Sequence, residues 1–283
     1  MDARDIDKVQ QDFRQWLFRH VVLIAGTYYQ LDDSRQRISD PLPFTYSGFI
    51  MSFEGVWFLV TAGHVIDTLD NFLKHRNIEI EEFSLIDYLG LNPTDRHPIP
   101  FDYGGSQRYA CDDEAAGLDF GLIRLSPLYQ ELLAVNVTPV HDKNWLLQRE
   151  DETFLGYLML GVPDEYVTRG LTVGVMGETI VGMAGSAILA LRRLDSPPEW
   201  AKQTRYRRFV AEIMNPGDLT SITGMSSGPI LGFAEKEGRH YYRVIAIQSS
   251  QDPRNERIVY GCLIRSFGQN ILDCMNSLLR EEV

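Results

Sequence analysis

The sequence has few cysteines, no long apolar run and a shortage of positive charge, and each lack removes a class of protein. Its three cysteines, Cys111, Cys262 and Cys274, are too few and too scattered for a disulfide framework or a zinc site. An odd count without a CxxC pair suits a reducing compartment, so the chain is expected in the cytoplasm. No apolar stretch approaches the roughly 20 residues that a membrane-spanning helix needs. The charged start "MDARDIDKVQQDFRQWLFRH" does not have the pattern of a secretory leader. No membrane association is therefore expected. Lysine and arginine number 27 against 39 aspartates and glutamates, a formal net charge of −12. That field repels phosphate backbones and makes nucleic acid a poor partner. A local basic cluster, for instance Arg205, Arg207 and Arg208, reads as a solvated strand edge. Long repeats and low-complexity tracts are absent too.

What is present is an ordinary globular composition, with 44% hydrophobic residues in a chain of 283, enough for a substantial core. Ile6, Val9, Phe13, Trp16 and Leu17 recur at three and four residues and predict an amphipathic helix over 5–20. The same spacing at Ile271, Leu272, Met275, Leu278 and Leu279 predicts a helix at the other end. Between them lie short segments such as "VVLIAGTYY", "VWFLVTA", "FGLIRL", "GPILGFA" and "IVYGCLIR". They are rich in Val, Ile, Phe, Tyr and Gly and are separated by turn residues, the pattern of an all-β barrel or sandwich. About a dozen such strands suffice for two barrels, joined somewhere in 126–150. Long loops are expected at 92–117 and 192–205.

Three motifs carry chemistry. In "FLVTAGHVID" an apolar strand delivers His64 to a short turn; alone, this is a histidine capping a loop. In "GLDFGLIRL" Asp119 opens an apolar strand between Leu118 and Phe120, where a partly buried carboxylate needs a partner; alone, it is a turn aspartate. In "GMSSGP" Ser226 stands among glycines that allow a ligand close to the backbone. Together the three say more. A serine hydroxyl is a weak nucleophile until a base takes its proton. Histidine is the natural base near neutral pH. A buried carboxylate fixes the histidine tautomer and stabilises the imidazolium.

The order His, Asp, Ser, with 55 residues from His64 to Asp119 and 107 on to Ser226, resembles the chymotrypsin/trypsin-like serine peptidases, particularly the bacterial trypsin-like members. "TAGHV" is similar to their histidine motif, "LDFGLIRL" to their aspartate motif and "GMSSGPIL" to their serine motif, and "YLMLGVP" resembles a strand that opens their second barrel. The resemblance covers roughly residues 21–270 and implies two antiparallel Greek-key β-barrels. The organisation it suggests is an N-terminal helix (1–20), a first barrel (21–135), a second barrel (136–265) and a C-terminal helix (266–283). It implies a serine endopeptidase working through an acyl-enzyme on protein or peptide substrates, without a metal or other cofactor. His64 would be the general base, Asp119 its orienter and Ser226 the nucleophile. The backbone N–H groups of Gly224 and Ser226 would form the oxyanion hole. Ser227 stands where the family has a glycine, so a backbone closed to other residues would strain it. Thr220 is expected near the base of the primary specificity pocket, where an uncharged residue favours a small or apolar side chain. Gln248, Ser249 and Ser250 are expected to pair with an extended substrate as an added strand.

Met225 replaces the aspartate with which secreted members bind a newly cut N-terminus. Cleavage after Arg19 or His20 therefore cannot activate this chain by that route, and control by a regulatory protein partner or an effector is expected instead. "GMSSG" also fits the nucleophile elbow of an α/β-hydrolase. That fold needs its acid and histidine after the serine, and the 57 residues beyond Ser226 hold only His240. The remaining rival is a catalytically silent trypsin-like fold that binds or scaffolds peptides.

Overall fold

The computed structural model describes residues 3–89, 98–146, 152–174 and 177–280. The expected loop at 92–117 and the expected barrel junction at 126–150 therefore lie partly outside the described residues.

The chain opens with helix α1 (Ala3–Phe18), whose last turn buries Leu17 and Phe18. Strands β1 (Val21–Gln30), β2 (Leu42–Phe53) and β3 (Val56–Thr61) follow as an antiparallel meander. Helix α2 (Gly63–Lys74) comes next, then β4 (Ile78–Ile86), β5 (Ile99–Pro100), β6 (Arg108–Asp113) and β7 (Leu118–Arg124). These seven strands form one antiparallel sheet in the order β5-β4-β1-β2-β3-β7-β6. A short helix, α3 (Pro127–Leu133), leads away from it with proline in its first turn, where no N–H is missed.

The second half contains β8 (Gly156–Gly161), a ribbon of β9 (Val167–Gly174) and β10 (Gly177–Ala184), then β11 (Ala187–Arg193), β12 (Phe209–Ile213), β13 (Pro229–Lys236), β14 (Arg239–Gln251) and β15 (Ile258–Leu263). Strands β8 and β11 to β15 close into a six-stranded barrel in the order β11-β12-β15-β14-β13-β8. Helix α4 (Ile264–Arg280) ends the chain and buries Ile271, Met275 and Leu278. The architecture is thus all-β with a helix at each end, and closure is seen in the second sheet.

Apolar alternation decides what packs where. Met159, Leu189, Phe209, Met225, Ile230 and Val259 form a core cluster of the barrel. Val22, Ile24, Ile50, Leu59, Val65 and Leu69 form one under α2. A third cluster joins the halves through Leu17, Phe120, Trp145, Val244, Cys262 and Met275. All six residues of β15 are buried, as suits a strand with no solvent face.

Two expectations are corrected. The short turn after His64 is a helix of 12 residues. Val65, Ile66 and Leu69 sit at helical spacing and are buried against the first sheet, which stabilises those turns. The supposed loop over 92–117 contains β5 and β6, whose pairing with β4 and β7 overrides their polar composition.

Candidate active site

β3 pairs with β7 so that Thr61 faces Gly121, and β6 pairs with β7 so that Asp112 faces Asp119. The first turn of α2 is thereby brought over the start of β7. Gly63 makes that approach possible, because a Cβ there would lie 2.3 Å from the Cys111 carbonyl oxygen. His64 Nδ1 is 2.8 Å from Asp119 Oδ2, and the His64 backbone N–H donates to Asp119 Oδ1 at 3.1 Å. Asp119 in turn has its own N–H directed at Cys262 Sγ, 3.3 Å away, so β15 supports it from below. With Asp119 Oδ2 as the acceptor of this bond, Nδ1 carries the proton. Nε2 is left as the acceptor and has no hydrogen-bond partner among the described residues. Burial works against the imidazolium, but the Asp119 hydrogen bond and charge, aided by Asp112 and Asp67, prevail and hold the His64 pKa above its ordinary value.

Ser226 lies in the turn between β12 and β13, half-buried, and its hydroxyl makes no hydrogen bond among the described residues. The backbone around it alternates. Met225 N–H donates to the Ile222 carbonyl, Ser227 N–H to Gln248, and Gly228 N–H to Met225. The N–H groups of Gly224 and Ser226 have no acceptor among the described residues. Gly224 has φ +87°, and a Cβ there would collide with the Asp164 carboxylate. Only glycine fits.

Ser227 is held at φ +82° and is fully buried, so its side chain does occupy an unfavourable backbone region, as expected. Its hydroxyl oxygen accepts the Ala62 N–H at 2.8 Å. Met225 is buried in the barrel core against Gly161.

The residues expected to meet substrate differ in their freedom. Gln248 is buried, and its backbone N–H and C=O are taken by Gly228 and Ser227, so it cannot pair with an added strand. Ser250 already pairs with Tyr260, while the register skips Ser249, whose hydroxyl donates to the Tyr260 carbonyl. Of the three, Ser249 has the main chain least committed to the barrel ladder. Thr220 is exposed, but it is not in uncharged surroundings: the Glu165 carboxylate accepts both its N–H and its hydroxyl. Those bonds hold the Glu165 pKa below its ordinary value. Glu165, Asp164 and Ser47 were not legible as site residues. Ser47 is fully buried in β2 and donates to the Gly224 carbonyl at 3.0 Å. Nothing in "YSGFI" signals that contact; it exists only because the two halves meet. Among the described residues no cluster of His, Cys, Asp and Glu is placed to hold a metal.

No protein-family model and no curated protein matches the sequence. Solved structures do. The active form of the Rv3671c protease from M. tuberculosis aligns over 94% of this chain and 85% of its own, with 12% identity and a TM-score of 0.46. A serine endoprotease from Yersinia pestis aligns over 96% of this chain and 66% of its own, with 13% identity and a TM-score of 0.45. The thermostable serine protease AL20, from an extremophilic microorganism, aligns over 87% and 94%, with 12% identity and a TM-score of 0.39. Likenesses this distant say nothing about activity.

Proposed function

We propose that this chain is a trypsin-like serine endopeptidase. The observation that carries the reading is the His64–Asp119 pair, which leaves Nε2 as a free acceptor while Ser226 presents a free hydroxyl beside two unpaired N–H groups. In this reading Nε2 takes the Ser226 proton as Oγ attacks the scissile carbonyl. Asp119 holds the tautomer and stabilises the imidazolium. Gly224 and Ser226 N–H donate to the oxyanion, whose charge no water then needs to solvate. The imidazolium returns its proton to the leaving amine, and water discharges the acyl-enzyme by the same route. The substrate is a protein or peptide, with Ser249 the position best placed to take its main chain. A regulatory partner fits the loss of the N-terminal ion pair at Met225; unrestrained degradation of unfolded protein by the purified chain would contradict that control.

The second reading, a silent binding module on the same scaffold, is favoured by one observation: no hydrogen bond joins Ser226 to His64 among the described residues. A fluorescent fluorophosphonate probe separates the two. The expected result is labelling of the wild type that is lost in Ser226→Ala and His64→Ala and persists at saturation in Ser227→Ala. Absence of labelling, alone and with native lysate added, would favour the silent module.

A further inference from the structure

The turn that carries Ser226 belongs to the barrel, whereas His64 and Asp119 belong to the first sheet. A nucleophile and its base held on separate bodies must be kept in register to within a fraction of an ångström for proton transfer. Two buried hydroxyls cross that gap on either side of Met225–Ser226. Ser47, from β2, donates to the Gly224 carbonyl at 3.0 Å and accepts the Val162 N–H at 3.1 Å. Ser227 accepts the Ala62 N–H at 2.8 Å, two residues before His64. Neither side chain is exposed at all.

Ala62 directly precedes α2 and no side chain of α2's own segment caps that end, so Ser227 meets one of the N–H groups about to enter the helix. Ser227 does so from a backbone conformation that L residues avoid, at φ +82°. Glycine would occupy it without strain but would leave the buried Ala62 N–H without an acceptor. The hydroxyl explains why serine is tolerated there. Ser47 acts on the neighbouring peptide: with the Gly224 carbonyl fixed, the Gly224–Met225 peptide plane cannot rotate, and the turn is held as the oxyanion site requires.

We propose that Ser47 and Ser227 are positioning residues that clamp the Ser226 turn onto the His64 helix across the two halves. The proposal deepens the peptidase reading and rests on it. The test is the kinetics of fluorophosphonate labelling of full-length Ser47→Ala, Ser227→Ala and Ser227→Gly, separated into kinact and KI, alongside amide hydrogen exchange at Ala62 by NMR. Each variant is expected to lower kinact by roughly tenfold at temperatures far below its melting point, as suits one lost buried hydrogen bond at a reacting centre, with KI unchanged. Ser47→Thr, which keeps the hydroxyl, is expected to restore most of kinact. Both Ser227 variants are expected to lose exchange protection at Ala62. Labelling of Ser227→Gly as fast as wild type, or unchanged protection at Ala62, would overturn the clamp while leaving the peptidase reading intact. An unlabelled wild type would instead count against the peptidase reading, and Ala62 protection would still decide whether the clamp exists.

Discussion

His64 and His20 are the same residue in opposite settings. His64 opens α2 beside a carboxylate, and its side chain keeps 37% of its exposure. His20 follows α1 and is buried to 1%. His20 Nδ1 is 2.5 Å from the Thr138 carbonyl oxygen, so it donates there, and Nε2 accepts the Tyr242 hydroxyl at 2.8 Å. Thr138 and Tyr242 are neutral, and a third partner, the Arg19 guanidinium, directs its Nε–H at Nε2 from 3.4 Å, so no partner of His20 is an anion. Burial, with smaller contributions from the charges of Arg19 and His141, pushes its pKa down to about 4, although the Thr138 bond opposes this. Asp119 reverses that balance at His64. Burial alone makes a histidine a neutral bracket; a carboxylate on one nitrogen makes it a base that can carry a proton.

The contrast can be broken most severely at Asp119. In the proposed peptidase, Asp119→Asn removes the charge and permits the wrong tautomer, so the labelling rate should fall about ten-thousandfold. Circular dichroism should show the fold retained, because Asn still accepts the His64 N–H. A fall of only a few-fold would mean that His64 does not depend on its partner.

The next test concerns His20. Below the ordinary histidine value the unfolded chain binds a proton that the folded chain refuses until about pH 4. Stability therefore rises with pH across this window and is lost as pH falls from about 6.5 towards 4, by up to about 3 kcal/mol. His20→Gln keeps a donor and an acceptor without titrating. Its urea midpoint should be flatter over that window than that of the wild type, and parallel curves would contradict the assignment.

The smallest effect belongs to Asp112, which faces Asp119 across the β6–β7 ladder and contributes to the raised His64 pKa. In the proposed peptidase His64 acts as a base when neutral, so labelling should rise with pH through its raised pKa. Asp112→Asn should move that acid limb to lower pH with little change in the plateau. An unmoved limb would leave Asp119 and Asp67 responsible.

The two histidines also divide what was legible. His64 stands in "TAGHV" and Asp119 in "LDFGL", and the apolar strands around both motifs locate them without a fold. His20 stands in "FRHVVL", which carries no chemical pattern at all. Two of its partners, Thr138 and Tyr242, are 118 and 222 residues away. The helix α2 was readable from Val65, Ile66 and Leu69, but the strand before it and the glycine inside it read more strongly as a turn.

Local order determined much of this molecule. Alternating apolar residues place the strands, and three- and four-residue spacing places the terminal helices. These depend on neighbours a few residues apart, where period and side-chain size are sufficient causes. Tertiary structure alone decided that Ser47 meets Gly224, that Ser227 meets Ala62, that Glu165 covers Thr220 and that Gln248 is sealed from substrate. Those contacts join residues 20 to 177 positions apart, and two of them, Ser47 with Gly224 and Ser227 with Ala62, cross the meeting of the sheet and the barrel. The partners of those two are chosen by the register in which two separately hydrophobic bodies pack, the others by how the second half folds on itself, and no local pattern records either.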